Sequence, residues 1–171
     1  MVTWSSEIKE LSSLYESFKG RFPDLDKEFE KLIISDDANT VLLYSRRCLE
    51  VIITDLCENE LGRPRKTEPL KGVIDKLNKE EKVPAHIFTS MQNLNSVATF
   101  GAHPIEFNPI QVRSALIELT NVLTWYLENK NIRPDISTRK KDTEVITSLA
   151  DPKILQNIEG TGIREVKKRK K

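Results

Sequence analysis

The sequence predicts an all-α protein, an up-and-down antiparallel helical bundle of five or six helices with a long helix over 37–61 at its centre. Apolar residues recur three and four positions apart in segment after segment, the period of one face of a helix. The stretches between those segments are short and carry Pro, Gly, Asp and Asn, residues that stop and start helices. Short connections make consecutive helices antiparallel.

The first helix runs from Trp4 to Phe18, with Ile8, Leu11, Leu14, Tyr15 and Phe18 on one face. Ser5 or Ser6 is placed to cap it and Gly20 to end it. Pro23 then breaks the chain, Asp24 is placed as a cap, and a short helix reaches about Ile34. Asp36 or Asp37 caps the longest helix, and Gly62 ends it. Its stripe is Val41, Ser45, Cys48, Leu49, Ile52 and Leu56, widened by Leu42, Val51 and Ile53. So wide an apolar face belongs to a central, buried helix.

A loop follows and turns helical near Thr67, with Thr67 as cap and Pro69 in the first turn. Leu70, Val73, Ile74 and Leu77 form that helix's apolar face. The next helix begins at Pro84 and carries Ile87, Met91, Leu94, Ala98 and Gly101 on one side. Asn108 as cap and Pro109 as first residue open the last helix. Val112, Ala115, Leu116, Leu119, Val122, Leu123 and Tyr126 form its stripe. Ile117 and Trp125 lie off that stripe, placed for the amino-terminal helix or for a partner. The bundle is expected to span 1–131. Residues 132–171, richer in Pro, Gly and scattered charge, read as a peripheral tail or linker with a basic end.

Composition narrows the function classes. Hydrophobic residues make up 38% and charged residues 31%, which suits a globular domain with a heavily charged surface. The formal net charge of +1 argues against a chain that binds polyanions over its whole surface. Cys48 and Cys57 are nine residues apart on one helix and project to opposite sides, so they cannot bridge. They read as reduced core fillers in a cytoplasmic protein. The opening stretch has no apolar secretion core, and no run of about 18 apolar residues occurs.

Phosphate-loop, dinucleotide and zinc signatures do not occur, and neither cofactor nor metal is expected. His86 reads as a solvated residue of a helix start. Arg46 and Glu50 lie four apart at the border of the long helix's stripe. Two readings stand for them. One is an intrahelical ion pair, worth about 0.3–0.5 kcal/mol when exposed and in the poorer Arg-first order. The other is a pair of side chains tying helix ends or loops by hydrogen bonds. Arg47 faces solvent. His103 sits in an almost uncharged stretch, Ala98 to Pro104, after a helix end, where a protonated imidazole complements the helix's carbonyl end.

Two patterns carry a family resemblance: Ser45-Arg46-Arg47-Cys48-Leu49-Glu50 on the long helix, and Leu94-Asn95-Ser96-Val97-Ala98-Thr99-Phe100-Gly101-Ala102-His103 at a later helix end. They resemble the A-R-x-x-L-E and I-R-x-x-G-N-x-A-A-H patterns of HEPN-type modules, a broad prokaryotic group fused to restriction, defence and signalling domains. The resemblance covers roughly residues 15–130 and implies a helical bundle that dimerises. Catalytic HEPN members resemble metal-independent ribonucleases in which an arginine and a histidine from two protomers meet. The cation stabilises charge on the phosphate, and the histidine moves a proton as the 2′-oxygen attacks.

This chain departs from that pattern. Aligned on His103, the motif arginine falls on Ala98, the motif polar residue on Thr99, and the alternative upstream arginine on Asn95. Removing one charge-stabilising donor costs about 100- to 1,000-fold in rate. The expectation is therefore a non-catalytic interaction or dimerisation module of a larger defence or signalling protein, with Arg46, Glu50 and His103 as a structural polar cluster. The rival reading is a ribonuclease using His103 and Thr99 with a displaced cation, Arg46 or Arg113. A third is nucleic-acid binding without cleavage, through the basic end Arg164, Lys167, Lys168, Arg169, Lys170 and Lys171. Such a basic end also suits the cytoplasmic flank of a membrane anchor beyond Lys171, if the chain continues there.

Overall fold

The computed structural model describes residues 3–100 and 108–133, and the side chains of 98–100 are not described. The described residues form six helices and no strand: α1 (Ser5–Phe18), α2 (Pro23–Ile33), α3 (Ala38–Glu60), α4 (Leu70–Lys79), α5 (Ala85–Phe100) and α6 (Pro109–Asn129). α3 packs against α2, α4, α5 and α6, the central place its wide apolar face requires. It buries Val41, Leu42, Ser45, Cys48, Leu49, Ile52, Ile53, Leu56 and Cys57. Both cysteines are free and buried. Burial, and then the charge of Glu28, push the Cys48 thiol well above its ordinary range, so it stays protonated.

α1 lies over α2 and α6. Leu11, Tyr15 and Phe18 are its buried face. An aromatic cluster fastens this side of the bundle. Tyr15 stacks on Phe29 at 5.6 Å, Phe18 meets Phe29 edge-on at 5.3 Å, and Phe22 meets Tyr126 at 5.6 Å. The start of α2 thus touches the end of α6. Glu7 near the start of α1 touches Arg113 near the start of α6, so these two helices run the same way with α2 reversed beside them. Tyr126 also donates to Asp55, joining the carboxyl ends of α6 and α3.

The helix boundaries correct several expected caps. α1 starts after Trp4, and neither Ser5 nor Ser6 caps it; the Ser6 hydroxyl donates to Glu7 instead. Phe22 is the cap of α2 and Pro23 its first residue, because proline's fixed φ and missing N–H suit a first turn. Asp24 follows within that turn. Pro69, not Thr67, precedes α4. Pro84 precedes α5, its carbonyl accepting from the Phe88 N–H at 2.9 Å. Of the two candidate aspartates before α3, Asp37 caps it, accepting from the Thr40 N–H at 2.9 Å and the Thr40 hydroxyl at 2.8 Å.

Left-handed residues close the ends of α1, α4 and α6. Phe18–Arg21 is a tight turn with Gly20 at φ +83°, the position that demands glycine. α4 and α6 end in six-residue Schellman closures: Lys82 N–H to Leu77 O at 2.9 Å, and Ile132 N–H to Leu127 O at 2.8 Å. Glu81 and Asn131 take the left-handed positions there, at φ 55° and 59°. Ile132 is buried, so the packed chain extends through it.

Candidate functional site

α5 is a helix of 16 residues without a single Asp, Glu, Lys or Arg, in a chain where charged residues make up 31%. Ile87, Met91 and Leu94 point into the core. The solvent side carries His86, Thr89, Gln92, Asn93 and Ser96. The histidine at position 86 is exposed, as its place in the first turn implied.

α6 lies against α5 and continues this uncharged face. Its reciprocal cap explains its start. Asn108 accepts from the Ile110 N–H at 3.0 Å, and the Gln111 side chain accepts from the Asn108 N–H at 3.3 Å. At about 100° per residue, Ile110, Ser114, Ile117 and Asn121 fall within about 60° of arc opposite the buried stripe. They form a ridge with no charge on it. Ile110 is 70% exposed and Ile117 48% exposed, while Trp125 packs partly against the core.

Both charged residues that flank the ridge have hydrogen-bond partners within the bundle. On the α1 side, Arg113 Nε donates to Glu7 Oε1 at 2.9 Å. On the α5 side, Asn93 donates to Glu118 at 3.1 Å. Glu7 is buried. Burial raises its pKa, but its backbone N–H, the Ser6 hydroxyl and Arg113 outweigh this and hold the carboxyl below its ordinary value.

Of the two readings of Arg46 and Glu50, the intrahelical ion pair does not form. Glu50 instead takes the guanidinium of Arg65 from the loop after α3, and Arg65 also donates to the Glu68 carbonyl at 3.1 Å. The planar fork of Arg65 holds two acceptors at once and so fastens that loop to α3. The reading of Glu50 as a loop tie is the one this contact matches. Arg46 lies half-buried at the edge of the stripe, and its Nε is buried without a hydrogen-bond partner. Arg47, half-exposed, lies 3.6 Å from Glu28 and over the Tyr44 ring.

His103 lies outside the described residues, as do Arg164, Lys167, Lys168, Arg169, Lys170 and Lys171. Thr99 falls in the last turn of α5, among the residues whose side chains are not described, as does Ala98. Two displaced cations were candidates for His103, Arg46 and Arg113. Arg46 is on the long central helix, and Arg113 is turned toward α1.

A second feature is a groove of about 420 Å³ between the start of α2 and the second half of α3, floored by Val51 and Tyr126. Asp55 in its wall accepts from the Tyr126 hydroxyl at 2.9 Å and from Lys130 at 2.8 Å. Burial, then the charge of Asp55 and its hydrogen bond, push the Tyr126 phenol above its ordinary range. Sequence reasoning missed this triad, along with Glu7–Arg113 and Arg65–Glu50. Glu7 carried one legible signal: it falls four residues before Leu11, on the buried stripe of α1.

No group of three or more His, Cys, Asp and Glu residues able to hold a metal occurs among the described residues. No described helix is long and apolar enough to cross a membrane. Comparison with family models, with curated proteins and with solved structures returned no match.

Proposed function

We propose that this chain is a non-catalytic interaction module of the HEPN type that pairs with a second copy of itself through the outer face of α5 and α6. The observation that carries the reading is the uncharged ridge Ile110–Ser114–Ile117–Asn121, set beside a charge-free α5 in a chain otherwise dense in charge. A two-fold interface brings the same patch from both copies together, so a ridge that carries no charged side chain meets itself without like-charge contacts along it. Fully burying an isoleucine contributes about 1.5–3 kcal/mol. The exposed parts of Ile110 and Ile117 together amount to little more than one such side chain. Association itself costs several kcal/mol, so these side chains alone support only a weak pairing.

The non-catalytic half of the reading rests on the cations. The motif arginine position is Ala98, and Arg113, the nearest substitute in sequence, is held by Glu7. The resemblance of the Arg46–Glu50 and Leu94–His103 stretches to HEPN modules supports placing the chain within a larger defence or signalling protein. The test of this half is RNA cleavage in EDTA by the full chain beside its His103→Ala variant. No cleavage above the variant's background is expected. Cleavage that disappears with His103 overturns the reading in favour of a ribonuclease with a displaced cation.

A further inference from the structure

We draw no further inference here: the strongest candidate, the groove between the start of α2 and the second half of α3, carries nothing because its carboxylates Glu28, Glu50 and Asp55 are already paired with Arg47, Arg65 and Lys130, and nothing in the structure shows what covers it.

Discussion

Arg113→Met isolates the electrostatic link between α1 and α6. In the native chain Arg113 Nε lies 2.9 Å from Oε1 of Glu7, whose side chain is 9% exposed, while the arginine side chain is 48% exposed. A hydrogen bond to a charged group contributes about 1.5–3 kcal/mol when desolvated. Solvent reaches half of the arginine, so part of that attraction is screened. The substitution is therefore expected to destabilise by about 1–2 kcal/mol, mostly because Glu7 stays buried with only its backbone N–H and the Ser6 hydroxyl against its charge. With a urea slope of roughly 1.5–2 kcal/mol/M, the midpoint falls by about 0.5–1.3 M at neutral pH. Circular dichroism at the helical band reads it directly. Glu7→Gln/Arg113→Met should recover much of the loss, since a neutral amide keeps the shape without the charge.

The pH dependence supplies an independent check. The folded pKa of Glu7 lies below its ordinary value, so its contribution is present above the unfolded pKa and lost as pH falls through the folded one. The gap between native and Glu7→Gln proteins should begin to narrow as pH falls through the ordinary glutamate value of about 4.3 and close below the lowered folded one. An unchanged urea midpoint for Arg113→Met at neutral pH refutes the reasoning, because it means water replaces the arginine without loss.

Other substitutions probe the helix ends and the core. Gly20→Ala should cost about 1–2 kcal/mol from the φ of +83° alone, since nothing lies near the added methyl; thermal denaturation measures it. Glu81→Gly should stabilise by about 1 kcal/mol at the carboxyl end of α4, read as a raised urea midpoint. Asn108→Ala removes the reciprocal cap of α6 and should cost about 1 kcal/mol. Tyr15 should titrate at about 12 in an ultraviolet titration, raised by burial and by its bond to Glu30. A raised folded value means its contribution is intact below pH 10 and fades toward pH 12.

How much of this was legible in the sequence follows from the range of each interaction. The stripes of α3 and α6 could be read nearly residue by residue, because burial of a helix face depends on periodicity within the helix. The Asn108–Pro109 start of α6 could be read for the same reason: its cap closes within three residues. The starts of α1 and α4 were misread because serine and threonine are common caps, yet Trp4 and Pro69 sit at those positions without a side-chain cap bond. Arg65–Glu50 spans 15 residues and Glu7–Arg113 spans 106. No local pattern reports which distant partner wins a carboxylate, so sequence spacing alone left the local pair Arg46–Glu50 and a tie to a loop both open, and could not name Arg65. The exposure of Ile117 was half legible, as a residue off the stripe. That Ile110 joins it on one ridge needed the packed bundle.

The central claim, pairing through the α5–α6 face, is tested most directly by sedimentation velocity of the full chain from low micromolar to submillimolar concentration. Ile110→Lys/Ile117→Lys serves as the comparison. Both side chains are exposed, so the double variant keeps the native helical spectrum. The native chain is expected to shift from monomer toward dimer as concentration rises, and the double variant to remain monomeric throughout. A native chain that stays monomeric at every concentration, or a double variant that associates equally well, contradicts the account.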